Sequence, residues 1–82
     1  MLLETFEGEW IDTENIISYY IEINNHGDYN TMARLKNNER YIIDAMFIKV
    51  WEAEKLIEDI ATKIKQGKAY YRPRKDEKRC KT

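Results

Sequence analysis

At Lys49 the spacing of apolar residues changes from two to three and four, and that change limits this chain to strands followed by one helix. Beyond it Val50, Ala53, Leu56, Ile57, Ile60, Ala61 and Ile64 recur on one helical face. Glu52, Lys55, Glu58, Asp59, Thr62, Lys63 and Lys65 fill the other side. Glu52 and Glu54 stand in the first turn and Lys63 and Lys65 in the last, as the helix dipole favours. Gly67 then supplies the stop signal.

Before Lys49 the chain reads as strands. In "IISYYIEI", Ile16 to Ile23, the odd positions Ile17, Tyr19, Ile21 and Ile23 form an apolar stripe. "NNHGDYN" places Asn, Gly and Asp at a reversal, residues that tolerate left-handed backbone. "YNTMARLK" sets Tyr29, Thr31, Ala33 and Leu35 against Asn30, Met32, Arg34 and Lys36, and "NNE" marks a second reversal. The third run, "YIIDAMFI", does not alternate cleanly. Tyr41, Ile43, Ala45 and Phe47 form one apolar face, but Ile42, Met46 and Ile48 make the opposite face mostly apolar too.

The fold class that follows is α+β. An antiparallel β-meander of three to four strands carries one C-terminal amphipathic helix packed on one face. The helix stripe meets the odd-numbered stripe: Ile17, Tyr19, Ile21, Ile23, Ala33, Leu35, Ile43, Ala45 and Phe47. Residues 1–67 read as a single α+β domain and 68–82 as a basic, disordered tail. The segment "LLETFEGEWI" adds a short strand at either end of the sheet or lies across its open face.

With 82 residues there is room for one domain, and its core is small enough that a partner chain would add to stability. Cys80 is the only cysteine, which excludes a disulfide within the chain and suits a reducing compartment. No run approaches the roughly 20 apolar residues that span a bilayer, and "MLLETFEGEW" lacks the basic start of a secretory signal. The expectation is a cytoplasmic protein with no membrane partner. The net charge of −1 hides an asymmetry: residues 1–67 carry 7 basic and 13 acidic side chains, residues 68–82 carry 7 basic and 2 acidic.

The succession "EWI", "NIISYYIEI", "MARL", "ERYIIDAMF" and "WEAEKLIEDIATKI" resembles a loose class of small uncharacterised bacterial and phage proteins. These have a tryptophan near the start, a short β-meander and an E-A-E-x-x-L helix. The resemblance spans residues 9 to 65 and implies a fold, with no functional residues to carry over. It also implies, if the chain is phage-encoded, a place in the host cytoplasm, where its acidic surface would suit a viral inhibitor of a host system.

Enzyme chemistry finds little footing. His26 sits alone in the turn "NHGD", and Cys80 lies in the tail, where no base or oxyanion site is organised. One His and one Cys far apart make no zinc site. Glu54 and Glu58, one helical turn apart with Lys55 and Lys63 nearby, read as a solvated face. Gly8, Gly27 and Gly67 mark turns or ends and build no phosphate loop. The expectation is no catalytic residue, no cofactor, no metal and no small-molecule substrate.

Binding is better supported. The face turned away from the helix presents Ile16, Tyr20, Met32, Ile42, Met46 and Ile48, and Trp51 projects from the first helical turn as a core-edge residue or an anchor. The main reading is a non-enzymatic protein-binding or regulatory module, a homodimer or the partner of another protein. In the other arrangement Leu2, Leu3, Phe6, Trp10 and Ile11 cover that face. The alternative function is a nucleic-acid accessory protein. In it Lys68, Arg72, Arg74, Lys75, Lys78, Arg79 and Lys81 neutralise phosphates while Tyr70 and Tyr71 stack on bases.

Overall fold

The computed structural model describes residues 1–73. Strands β1 (Leu2–Glu4) and β2 (Trp10–Asp12) are followed by a 3-10 turn at Thr13–Asn15, the meander β3 (Ile16–Ile23), β4 (Tyr29–Leu35) and β5 (Arg40–Phe47), helix α1 (Val50–Lys65) and a short β6 (Tyr70–Tyr71). The class is α+β, as the change of period at Lys49 requires. No described helix is long and apolar enough to cross a membrane.

The meander is an antiparallel sheet in the order β3-β4-β5. Its first reversal is built by Asn24, whose side-chain oxygen accepts the backbone N–H groups of His26 and Asp28 at 2.8 and 3.0 Å. Helix α1 lies on one face, and its Ala53, Leu56 and Ile60 join Ala33, Leu35, Ile43 and Phe47 in one core. Fully burying each such aliphatic side chain contributes about 1.5–3 kcal/mol. The buried Thr31 hydroxyl donates to the Ala53 carbonyl at 3.0 Å, pinning the helix to the central strand.

Three register shifts explain why the strand pattern is imperfect. Ile16 pairs with Leu35 but Ser18 pairs with Arg34, so β3 carries one extra residue there. The bulge turns Ile16 against the core and leaves Ile17 50% exposed, the reverse of strict alternation. Strand β5 has two shifts, with Met32 opposite Ile42, Thr31 opposite Asp44, and Tyr29 opposite Phe47. The first moves Asp44 into the row of Thr31, on the helix side, where it is buried. At the second, Met46 adopts a left-handed φ of 66°. "YIIDAMFI" fails to alternate because β5 changes parity twice.

The N-terminal segment adds no strand to the meander. Strands β1 and β2 form an antiparallel hairpin, and β6 pairs parallel to β1, giving a second sheet in the order β2-β1-β6. Leu3 and Ile11 on this sheet enter the same core as the helix. Its turn reaches the outer edge of β5, where the Phe6 N–H donates to the Ile42 carbonyl at 2.8 Å. The boundary expected after residue 67 therefore moves: Lys68 to Pro73 belong to the folded body, with Pro73 buried.

A Schellman motif at the end of α1 delivers the chain to this second sheet. Gly67, at φ 74°, donates to Ile64 at 3.0 Å, and Lys68 donates back to Lys63 at 3.1 Å. Two residues later Leu2 donates to the Ala69 carbonyl at 2.9 Å, and β6 begins.

Candidate functional site

The residues expected on the open face separate into three groups. Ile16 is removed from it by the β3 bulge and packs on the core. Tyr20, Met32 and Ile42 form a single row across the three strands, since Met32 pairs with both of the others. Polar rows flank it, with Ser18, Arg34 and Arg40 on one side and Glu22 and Asn30 on the other. Met32 is buried, Tyr20 and Ile42 are half-buried, and the buried Tyr20 hydroxyl has no hydrogen-bond partner among the described residues. The open face is therefore a narrow apolar row and not the broad patch expected.

Met46, Ile48 and Trp51 form the third group, at the corner where β5 passes into α1. They are 62%, 77% and 56% exposed, and Val50 between them is 42% exposed. Local chemistry fixes this corner. The bulge puts Met46 in its left-handed conformation, and its N–H donates to the Asn30 side chain at 3.3 Å. Lys49 is the helix N-cap, with extended backbone, and its N–H donates to the Glu52 carboxylate at 3.1 Å. Ile23, also strongly exposed, lies at the same end of the sheet, in the row Ile23–Tyr29–Phe47. Only Met46, Ile48 and Trp51 of this cluster were readable as surface residues from the sequence. Val50 reads as part of the helix stripe and Ile23 as part of the strand stripe.

A second surface lies at the other end of the helix, along β6. A groove of about 500 Å³ is lined by Lys63, Lys68, Ala69, Tyr70, Tyr71 and Arg72. Lys63 sits 5.5 Å from the centre of the Tyr71 ring, and the Arg72 guanidinium 5.4 Å from that of Trp10. Trp10 and Tyr70 meet edge to face, with centroids 6.1 Å apart and planes at 80°. Arg72 also pairs with Glu4 at 3.7 Å. The structure thus brings together Lys68, Tyr70, Tyr71 and Arg72 from the expected basic tail. It adds Trp10 and Lys63, which sequence reasoning assigned to a cover segment and a solvated helix face. Arg74, Lys75, Lys78, Arg79 and Lys81 lie outside the described residues.

Two phenols are shifted upward. Burial raises Tyr19 above its ordinary 10.0, while Tyr41 is raised chiefly by its hydrogen bond to Glu39 and by that carboxylate's charge. Both stay protonated at neutral pH. His26 is exposed in its turn. Among the described residues no three His, Cys, Asp or Glu side chains gather as a metal-ligand set. Comparison with protein-family models, with curated proteins and with solved structures finds no match to this chain.

Proposed function

We propose that this chain is a non-enzymatic protein-contact module that self-associates through the apolar corner at Met46, Ile48, Val50 and Trp51. The observation that carries this reading is the exposure of four large apolar side chains within six consecutive residues, 46 to 51. Clustered apolar exposure of this kind marks contact surfaces, whereas scattered residues do not. Met46 strengthens the case. A non-glycine residue in the left-handed region costs about 1–3 kcal/mol, so holding a long apolar side chain outward there is a cost that contact with a partner would offset. Methionine suits an adaptable surface and Trp an anchor.

A second copy is the favoured partner because the meander also offers, on its far side from this corner, an edge able to pair with another chain. Strand β3 is the outer strand of the meander and contains no proline, lysine or arginine along its eight residues. Among the described strands its outer edge is unpaired, and Ile23 lies at the same end of the sheet as the apolar corner, two strands away.

The test is absolute mass by light scattering across a concentration series, for the parent and for Ile48→Lys with Trp51→Lys. The parent is expected near twice 9.9 kDa, at low and high salt alike, because apolar contact is not screened. The double variant is expected at the monomer mass with an unchanged far-ultraviolet circular dichroism spectrum. A parent that stays monomeric at every concentration sinks self-association.

A further inference from the structure

We infer that the groove along β6, together with Trp10 beside it, which meets the lining residues Tyr70 and Arg72, binds single-stranded nucleic acid, with Trp10 and Tyr70 as stacking groups and Lys63, Lys68 and Arg72 as phosphate contacts. This surface lies at the opposite end of α1 from the apolar corner and stands independently of it. Period-two alternation in the small sheet separates its side chains. The row Ile11–Leu3–Tyr71 faces the core, with Leu3 fully buried. Trp10, Leu2 and Tyr70 lie on the outer side and are all exposed, Tyr70 by 63%.

Aromatic faces interleaved with cations are what a flexible polyanion with flat bases requires. Every base has a π-face to stack, and every phosphate needs a counter-charge. A duplex keeps its bases paired and stacked inside, so it would engage the cations alone. The sequence after Pro73 holds five more basic residues and two acids. One acid works against the site. Glu4 pairs with Arg72 at 3.7 Å and shares its charge, although the guanidinium remains stacked over Trp10.

The experiment titrates the full-length Trp51→Phe variant with a thymidylate 20-mer and reads Trp10 fluorescence. Trp51, on the first turn of α1, is removed so that the signal reports Trp10 alone. Quenching that saturates is expected, weakening with salt along a log–log slope of about −2 for three phosphate contacts on a single strand. Tyr70→Ala, at an exposed position, is expected to weaken binding about fivefold or more by removing a stacking face. Glu4→Gln is expected to tighten it, by an amount that shrinks as salt rises, because Arg72 loses its competing carboxylate. An unquenched Trp10 would overturn the inference. So would inorganic polyphosphate or the corresponding duplex binding as tightly as the single strand, with Tyr70→Ala leaving all three unchanged.

Discussion

The two sheets of this protein have three strands each and are assembled in opposite ways. In the β3-β4-β5 sheet each strand pairs with its neighbour in the chain, across one reversal organised by Asn24 and a second by Asn37 and Asn38. In the β2-β1-β6 sheet the last strand arrives only after the whole meander and helix have passed. The first sheet has strands of seven and eight residues, the second of two and three. Short strands contribute little pairing, so the second sheet depends on what it docks against. Leu3 and Ile11 provide that dependence by entering the core shared with α1. One sheet is a scaffold in its own right, and the other is a clasp that joins the two ends of the described chain.

If the clasp is part of the core, it should be as costly to weaken as the scaffold. Ile43 on β5 and Leu3 on β1 are both fully buried in the same cluster. Ile43→Ala and Leu3→Ala are each expected to lower unfolding stability by about 2–5 kcal/mol, the range for emptying a well-packed aliphatic site. Urea unfolding followed by circular dichroism measures both. A Leu3→Ala midpoint equal to the parent's would break the comparison, since β1 would then add nothing to the core.

The next effect isolates the joint that positions β6. Gly67 sits at φ 74°, where an L side chain is disfavoured by about 1–2 kcal/mol. Gly67→Ala is expected to cost about that much. The loss should concentrate on the clasp, because Lys68 and Ala69 follow directly and Ala69 accepts the Leu2 amide proton. Hydrogen exchange at the Leu2 amide should accelerate more than exchange in β4. Equal acceleration in both would mean that the Schellman turn supports the whole fold and not β6 in particular.

The same contrast explains what was legible beforehand. Helix α1 announces itself by its sustained period and the three meander strands as apolar-rich runs of seven or eight residues between turn residues, and Gly67 is visible as a stop. The bulges leave no such mark. Nothing in "NIIS" says that Ile16 turns inward and Ile17 outward, because one extra residue changes the geometry without changing the composition. Met46 takes a glycine-like φ without being glycine. Tyr70–Tyr71 is too short to have a period, and only two aromatic residues between a helix stop and Pro73 hint at a strand. The apolar corner was partly readable, through Met46, Ile48 and Trp51. The β6 groove was half readable: its cations and tyrosines stood in the sequence, but the contact between Trp10 and Tyr70 joins residues sixty positions apart.

The smallest effect tests whether scaffold and clasp share one unfolding transition. Lys49 occupies the N-cap of α1 with extended backbone, φ −119° and ψ 141°, yet lysine brings no acceptor for the first free amides. It also places a positive charge at the positive end of the helix. Glu52 already accepts the Lys49 N–H, so Lys49→Ser would complete a reciprocal capping box with no change of backbone. The expected gain is about 1 kcal/mol in urea unfolding. Lys49 is exposed and far along the helix from Gly67, so the substitution touches neither sheet directly. If the molecule unfolds as one unit, protection of the Leu2 amide should rise by the same increment as protection in β4, because the two can open only together. If only β4 and the helix gain, the clasp opens independently. The groove along β6 would then belong to a locally mobile element, and binding there would have to order it first.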